Sequence, residues 1–537
     1  MTELPEHHKV SHVPATRLNA AFAQKAEDLL PTLHNWNVSP IGTVTFEPDE
    51  SEYFKRRKRP QFTTAELQDK AWGKGQEFIL DFGDHHVGYL KFRLTAQGPN
   101  VDAPARLRLT MGETPPDVTE ELHPCKSWIS TSWIPDEVVN IDYMPKDFAL
   151  HRRHAFRYVR VQVLDTSAKY QVKFSVIHIE AVSAVTAEQV LALPPFPFND
   201  DTLCRIDAVS MTTLRNCMQT VFEDGPRRDR RLWSGDLRLQ ALTNYCTFRN
   251  NDLVKRCLYL FAALVREDDS TPACLFEKPV LTPASDYIVD YDILFGSTAH
   301  DYAVQTGDLE TAEELWETVL GSTKGALAHV EDGVFRGEAT QAWKFLDWAE
   351  NLEKDAGMHG AVIVGLKAVD SLAKLLKKPP PYEDVVAEMI SKAERAFYDA
   401  EQGVFVSGKA RQVSWASQAW LALAGVMDAG RLKSALVTTM HDPNALKPLT
   451  PYLYHHFAEA LCNVGGEEEC LQLIRTYWGG MISAGADTFW ECFDADDYTS
   501  SPYGDHHNHS FCHAWSCTPS YLLRVKLRDW LADRKGL

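Results

Sequence analysis

The pattern of hydrophobic and polar positions changes once along the chain, near residue 195. Before that point, short segments alternate apolar and polar residues, which predicts β-strands with one face buried. The clearest are Phe78–Phe82, Gly88–Leu94, Ala105–Met111 and Tyr158–Leu164. Gly, Pro and Asp between these segments are typical of antiparallel turns. We therefore expect residues 1–195 to form an antiparallel β-sheet domain, with Leu191–Phe198 as a linker.

From about residue 200, apolar residues recur with helical spacing in segments of roughly ten to twenty residues. The segments are Asp201–Phe222, Leu237–Phe248, Leu253–Glu267, Thr311–Leu320, Ala356–Leu376, Tyr382–Tyr398, Ser414–Met427, Pro451–Asn463, Glu467–Trp478 and Tyr521–Lys535. About a dozen antiparallel helices close most simply into a double ring, an (α/α)6 barrel. Residues 196–537 are therefore predicted to form that barrel and to hold the active site, which makes the chain a multidomain α+β protein.

Composition excludes some classes of partner. The net charge of −19 argues against nucleic acid, because phosphate binding needs a basic surface. The sequence contains no run of about eighteen apolar residues, so it predicts no membrane span, and no signal peptide is visible. The eleven cysteines have no regular spacing and are predicted to be reduced and mostly buried. These features indicate a cytoplasmic-type chain without cofactor, nucleic acid or membrane partner.

The densest group of candidate functional residues is the segment Asp224–Asp236. It carries three carboxylates, four arginines and one tryptophan between two apolar helical segments. A tryptophan beside carboxylates is typical of sugar sites, because the ring stacks on a pyranose while carboxylates accept hydroxyl protons. The arginines indicate an anionic group, since a guanidinium pairs with a carboxylate in a bidentate fork. An Asp–Arg network that ties two helices together would have the same composition.

Three further segments place tryptophan beside an acid or a histidine. They are Asp347–Trp348, Trp490–Glu491 and His506–Trp515. A single tryptophan is more often part of a core, but several such pairings in one helical domain favour carbohydrate binding. The spacing of His506, His507 and His509 fits no common ligand pattern, so we expect a solvated loop and no metal there.

Together these motifs resemble the α-L-rhamnosidases of glycoside hydrolase family 78. The motifs that carry the resemblance stand in the same order, at Leu80–Leu90, Phe156–Val161, Asp224–Asp236, Phe345–Trp348, Leu449–Tyr452, Ala486–Glu491 and His513. The resemblance implies a β-domain packed on an (α/α)6 barrel with a pocket for L-rhamnose. It also implies that Asp224, Trp233, Asp236 and Glu491 contact the sugar.

Two departures from that family bear on the chemistry. Asp229 stands where those hydrolases have their general-acid glutamate, and the missing methylene withdraws the carboxyl by roughly an ångström. Arg227 and Arg231 stand where the hydrolase pattern is uncharged. Both departures suit the similar polysaccharide lyase family 27, whose members remove rhamnose from glucuronic acid by β-elimination. The leading prediction is therefore a lyase that removes terminal L-rhamnose from α-1,4-linked D-glucuronate in gum arabic or arabinogalactan-type side chains.

For this elimination, arginines would neutralise the uronate carboxylate and a histidine would move the proton. The predicted catalytic residues are His85, Arg227 and Arg231. His85 is preferred to His86 from the resemblance, because only one of two successive side chains in a strand can face a cleft. The predicted substrate-binding residues are Asp224, Arg228, Asp229, Trp233, Asp236, Asp347, Trp348, Trp490, Glu491 and His513.

Two alternatives stay open. The first is α-L-rhamnosidase hydrolysis with Asp229 as acid and Glu491 as base, and the second is a non-catalytic rhamnose-binding relative. If the protein is a lyase or a hydrolase, its expected partner is an oligo- or polysaccharide substrate that bears rhamnosyl-glucuronate. Because such polysaccharides lie outside cells, the substrate class also suggests an extracellular location.

Overall fold

The computed structural model describes residues 15–337 and 342–534. In these ranges an antiparallel sheet is followed by a helical part, as the sequence predicts for an α+β chain. The sheet contains β1 (His34–Val38), β2 (Gly42–Pro48), β3 (Arg56–Pro60), β4 (Glu77–Gln97), β5 (Ala105–Gly112), β6 (Asp136–Ile141), β7 (Lys146–Ala149), β8 (His154–Asp165) and β9 (Gln171–Ser183). Its main path runs β1-β9-β4-β8-β5-β6, and β2, β3 and β7 join it from the side.

Strand β4 is the centre of the sheet. It unites two strands that the sequence predicts separately, Phe78–Phe82 and Gly88–Leu94, and pairs with β2, β7, β8 and β9. The prediction divided it because Gly83 and Asp84 are typical turn residues. In the structure Gly83 has a φ of +84°, and the β4–β8 register shifts between Asp81 and His86. The local signal therefore marks a bulge within one strand, which turns the side chains between these positions.

The helical part contains most of the predicted segments. Helices of the described ranges are α1 (Ala20–Asp28), α2 (Thr64–Asp69), α3 (Pro115–Thr119), α4 (Ala187–Leu191), α5 (Asp201–Cys217), α6 (Ser234–Cys246), α7 (Asn251–Ala262), α8 (Val289–Ile293), α9 (Phe295–Thr306), α10 (Leu309–Glu314), α11 (Trp316–Gly321), α12 (Lys324–Leu327), α13 (Asp355–Leu375), α14 (Glu383–Phe397), α15 (Trp415–Ala424), α16 (Ala429–His441), α17 (Pro451–Asn463), α18 (Glu467–Ser483), α19 (Pro519–Tyr521) and α20 (Arg528–Ala532).

Local sequence explains where several of these helices begin. The Asp200 side chain accepts the main-chain N–H of Leu203 at the start of α5, and Thr450 caps α17 in front of Pro451. The predicted helix Thr311–Leu320 is divided into α10 and α11 at Leu315. The last predicted helix is interrupted by a π-helical turn at Leu522–Lys526, and its end, Lys535, lies outside the described residues.

The sheet and the helical part are joined by main-chain contacts. The first residues described lie on the helical part, since Asn19 N donates to Ala263 O at 2.9 Å. At the other end of the sheet, Ala184 N donates to Met218 O at 2.8 Å. In the described ranges all eleven cysteines are free thiols and no helix is long and apolar enough to span a membrane.

Candidate active site

The segment Asp224–Asp236 forms one wall of a pocket of about 260 Å³. Other walls come from the loop after α3, the start of α8, the segment before α13 and the segment after α18. The lining residues are Trp128, Ile129, Trp133, Asp224, Arg228, Asp229, Arg231, Trp233, Asp236, Asp286, Ile288, Tyr291, Trp343, Phe345, Trp348, Glu491, Tyr503, His513 and Trp515. Nine predicted site residues meet here: Asp224, Arg228, Asp229, Arg231, Trp233, Asp236, Trp348, Glu491 and His513.

Aromatic rings form much of the wall. Phe345 stacks on Trp515 with 5.7 Å between ring centroids, and its edge contacts Trp348 at 5.2 Å. Trp233 meets Tyr291 edge to face at 6.4 Å. Rings fixed by one another keep their faces in place, which suits stacking on the apolar face of a sugar.

Asp224 shapes the loop as well as the pocket. Its carboxylate accepts the main-chain N–H of Asp229 at 3.0 Å and that of Arg231 at 3.1 Å. Burial, together with the nearby Asp229 carboxylate, raises the pKa of Asp224 to about 7. Asp224 therefore holds a proton more readily than an exposed aspartate does, and its side chain fixes the main chain at Asp229 and Arg231.

Asp236 and His513 offer unpaired polar atoms to the pocket. Within the described ranges, Asp236 Oδ1 and His513 Nδ1 are buried without a hydrogen-bond partner, and the two atoms are 3.7 Å apart. Burial and the neighbouring carboxylates of Asp224 and Glu491 raise the pKa of Asp236 well above its ordinary value. Burial and the Arg228 guanidinium lower the pKa of His513 well below its ordinary value. Since buried polar groups are normally hydrogen-bonded, these atoms are suited to bind ligand hydroxyls.

Arg228 bridges two carboxylates. Its Nη2 donates to Glu491 Oε2 at 2.5 Å and its Nη1 to Asp229 Oδ1 at 3.3 Å, while the guanidinium lies over the Tyr503 ring at 4.0 Å. Tyr503 donates its hydroxyl proton to the second oxygen of Glu491. Burial raises the pKa of Glu491, although Arg228 opposes the shift. The charge of Arg228 is thus shared between protein carboxylates.

Two of the three predicted catalytic residues lie outside the pocket lining. His85 is fully buried, its Nε2 donates to Glu113 at 2.9 Å, and its Nδ1 accepts from Asn216 at 2.9 Å. Arg227 is also buried and donates to Asp117 at 2.8 and 3.0 Å. The structure places His85 away from this pocket, because the residue lies within the bulge between Asp81 and His86 and its ring is turned towards Glu113 and Asn216. Arg227 connects the sheet to the segment after α18 through His507 O.

Two predicted sugar-binding residues are also part of the scaffold. Asp347 is buried and accepts the main-chain N–H groups of Leu449 and Thr450 at 2.9 and 3.0 Å. Trp490 is 2% exposed and packs edge to face on Phe511 at 5.3 Å. Neither side chain lines the pocket, whereas the adjacent Trp348 and Glu491 do.

The histidine-rich segment is not a solvated loop. His507 and His509 are buried, and His509 Nε2 accepts the main-chain N–H of Cys492 at 3.1 Å. Glu120, His506 and His507 bring three potential metal-ligand atoms within 4.8 Å of one another, outside the pocket lining. His506 already donates to Glu120 at 3.2 Å, so an ion pair explains the arrangement.

Sequence reasoning missed a group of pocket residues that are not beside the recognised motifs. They are Trp128, Ile129, Trp133, Asp286, Ile288, Tyr291, Trp343 and Tyr503. Trp128 and Trp133 belong to the predicted β-domain, and hydrogen bonds to the segment after α18 bring their loop to the pocket, among them Trp128 Nε1 to Pro502 O at 2.8 Å and Ser127 Oγ to Tyr503 O at 2.9 Å. Tyr503 reaches the pocket through its contact with Glu491, and no motif in the sequence marks it.

Comparison with known proteins identifies the family. Residues 40–181 match the glycosyl hydrolase family 78 alpha-rhamnosidase N-terminal domain. Residues 195–526 match the bacterial alpha-L-rhamnosidase 6 hairpin glycosidase domain. The chain therefore belongs to glycoside hydrolase family 78 and is a rhamnose-acting enzyme of that family. No curated protein sequence matches it.

Several solved structures are similar to this chain. A rhamnosidase from Klebsiella oxytoca with rhamnose bound is 39% identical, with a TM-score of 0.91 over 96% of this chain and 99% of that chain. The family 78 rhamnosidase of Bacillus sp. GL1 is 23% identical, with a TM-score of 0.69 over 84% of this chain and 46% of that one. The Streptomyces avermitilis alpha-L-rhamnosidase complexed with L-rhamnose is 16% identical, with a TM-score of 0.65 over 92% and 44%. The last two show the shared fold.

Proposed function

We propose that the chain is an α-L-rhamnosidase, which hydrolyses the bond between a terminal L-rhamnose and the group that carries it. The observation that carries this proposal is the pair of carboxylates, Asp229 and Glu491, bridged by Arg228 at the pocket. The rhamnose bound in the Klebsiella oxytoca relative supports the choice of sugar. The hydrolytic alternative predicted from the sequence uses the same two carboxylates.

In this proposal Asp229 is the general acid. Its side chain is 18% exposed, whereas that of Glu491 is 3% exposed, so Asp229 is the carboxyl nearer to the opening. It would give its proton to the glycosidic oxygen as the bond to the anomeric carbon breaks. Asp224 holds the main chain at this residue and so fixes the direction from which the proton arrives.

Glu491 is the general base. Arg228 and Tyr503 each hold one of its oxygens, which orients the carboxylate. Its raised pKa makes it a stronger base than an exposed glutamate. It would take a proton from water while the water oxygen attacks the anomeric carbon from the face opposite the leaving group. A bridging guanidinium keeps the two carboxyl groups apart, which suits the inverting mechanism, where a water molecule lies between them.

The remaining pocket residues would bind the sugar. Asp236 and His513 present the unpaired atoms described above to rhamnose hydroxyls. Trp233, Trp348 and Trp515 present rings for the apolar parts of the sugar, including its methyl group. These contacts position the anomeric carbon between Asp229 and Glu491.

Elimination from rhamnosyl-glucuronate ends of gum arabic or arabinogalactan-type chains is the second candidate. Arg231 favours it, because its guanidinium lines the pocket and has no carboxylate partner in the described part of the chain. The burial of His85 weighs against it, because elimination needs a base at the uronate. Hydrolysis uses neither His85 nor Arg227.

One experiment separates the candidates. The protein is incubated with a rhamnosyl-glucuronate disaccharide and with a neutral aryl α-L-rhamnoside, and both free rhamnose and unsaturated uronate are measured. Hydrolysis releases rhamnose from both substrates and forms no unsaturated uronate. Unsaturated uronate from the disaccharide, with an inert aryl rhamnoside, would establish elimination. Binding without release from either would establish a non-catalytic relative.

A further inference from the structure

A second cavity continues from the pocket at Asp229, and we call it the basic groove. Its volume is about 550 Å³. Trp133, Asp229 and Arg231 line both the pocket and the groove. The proposed general acid therefore stands at the boundary between the two cavities.

Carboxylates that line the groove are already paired. Glu223 accepts from Arg153 at 2.7 and 2.8 Å, and Glu277 accepts from Arg256 at 2.5 Å. Asp229 accepts from Arg228, as described above. Because each acid has its own guanidinium, none of them is needed to neutralise the other cations of the groove.

Three cations of the groove, Arg230, Arg231 and Lys278, have no ion pair in the described part of the chain, and a fourth, Arg152, has only a long one. Arg231 lies over the Phe276 ring at 4.2 Å, and Arg230 donates to Arg227 O at 3.2 Å. Arg152 has its nearest carboxylate oxygen, on Glu137, 3.8 Å away, and Lys278 is exposed. Burial and the adjacent Arg153 guanidinium lower the pKa of Arg230 to about 10, which reflects the crowding of like charges.

We propose that the basic groove is the leaving-group subsite and that it takes a sugar bearing a carboxylate, such as a uronic acid. This inference rests on the proposed function. A general acid protonates the oxygen of the leaving group, so that group must lie on the side of Asp229 away from the rhamnose pocket. That side is the groove, where free guanidinium groups can bind a carboxylate and Trp133 offers a ring for the sugar.

A matched pair of substrates tests the charge requirement. The pair is rhamnose α-1,4-linked to glucuronate and the methyl ester of the same disaccharide, which differ by one charge. We expect kcat/KM to be about tenfold or more higher for the acid, as for one charge-assisted hydrogen bond. The ratio should fall as salt is added, because partly exposed charges are screened.

Substitutions test which arginines cause the preference for the acid substrate. Arg231→Gln and Arg152→Gln should each lower the acid-to-ester ratio of kcat/KM towards one. Arg93→Gln removes an exposed arginine of the sheet that lies 3.5 Å from Asp147, and it should leave the ratio unchanged. The ratio compares two substrates on the same preparation, so partial misfolding does not alter it. The salt series on the unaltered protein provides the same test if a variant does not fold.

The possible outcomes separate a failure of the groove proposal from a failure of the proposed function. Release of rhamnose from a neutral aryl rhamnoside, with equal kcat/KM for acid and ester, overturns the anionic subsite and leaves the rhamnosidase proposal intact. A preference for the acid that neither groove variant reduces also overturns it. No release from any of the three substrates overturns both proposals.

Discussion

The carboxylate of Asp224 accepts the main-chain N–H of Asp229, with 3.0 Å between the nitrogen and Oδ2. Its other oxygen accepts the N–H of Arg231. The buried Asp224 side chain thus fixes the main chain at two residues: Asp229, the proposed acid, and Arg231, an arginine that lines the pocket. The relationship gives Asp224 a positioning role, whatever it also contacts in the sugar.

Replacing Asp224 by asparagine should lower turnover. The amide retains one acceptor for two N–H donors, so one donor at Asp229 or Arg231 is left unpaired and the loop shifts. Loss of a hydrogen bond to a charged group costs about 1.5–3 kcal/mol, which corresponds to roughly a tenfold to hundredfold lower kcat. Measurement of kcat on an aryl rhamnoside checks this. An unchanged kcat would show that Asp229 does not depend on Asp224.

The raised pKa of Asp224 also predicts a pH effect on stability. In the folded state its pKa is about 7, because burial and Asp229 disfavour the charge, whereas an unfolded aspartate ionises near pH 4. Between these values the folded state holds the extra proton, so the contribution of Asp224 to the free energy of unfolding falls as pH rises from about 4 to 7, by at most about 4 kcal/mol.

Denaturant titrations across this pH window check the effect. The Asp224→Asn variant should lose stability less steeply with rising pH than the unaltered protein. Asp496→Asn replaces an exposed aspartate and should keep the original slope. Identical slopes for all three proteins would contradict the assigned shift.

Arg227 should prove structural. Its guanidinium pairs with Asp117 and lies 3.4 Å from Glu113, and all three side chains are buried. Arg227→Met would leave two buried carboxylates without their cation, at a cost of about 3–5 kcal/mol of stability. Calorimetric unfolding measures the change. Arg231→Gln is the matched comparison, because the Arg231 guanidinium has no ion pair among the described residues and should change stability little. Equal effects of the two substitutions would count against this distinction.

The sequence predicted the loop at the site better than it predicted individual contacts. Asp224–Asp236 is highly charged between two apolar segments, and that contrast survives folding because the flanking helices bury their apolar sides. Which side chain faces inward depends on packing. Asp347 and Glu491 each stand beside a tryptophan, yet Asp347 binds main-chain N–H groups while Glu491 lines the pocket. Local sequence does not contain that difference.

In the fold, too, local sequence does not show which way a side chain points. Period-two alternation identified β5 and β8, but the choice of His85 over His86 came from the family resemblance and not from the strand pattern. The bulge in β4 turns that residue towards Glu113 and Asn216. Likewise, Trp128 and Trp133 line the pocket from the β-rich half of the chain, and the loop that carries them is bonded to Pro502 and Tyr503, which are distant in sequence. Such contacts are tertiary and leave no periodic signal.

The His85→Gln variant should remain active under the rhamnosidase proposal. Both ring nitrogens are engaged in hydrogen bonds away from the pocket lining, so the side chain cannot exchange a proton with substrate. We expect kcat at saturating substrate to fall less than about tenfold, against the roughly 10²–10⁴-fold loss typical of a general acid–base residue. A loss in the larger range, with normal thermal unfolding, would return His85 to the reaction and favour elimination.

Asp229→Asn and Glu491→Gln should each abolish most hydrolysis, because each removes one of the two proton transfers. We expect kcat to fall about 10²–10⁴-fold in both variants, while calorimetry still detects rhamnose binding. The unaltered enzyme should release rhamnose with inverted anomeric configuration, which proton NMR in the first minutes of reaction can record before mutarotation. Inversion is expected because water attacks from the side of Glu491 as the leaving group departs beside Asp229. Release with retained configuration would require one of these carboxylates to attack the sugar directly, and the assignment of Glu491 as a base would then be wrong.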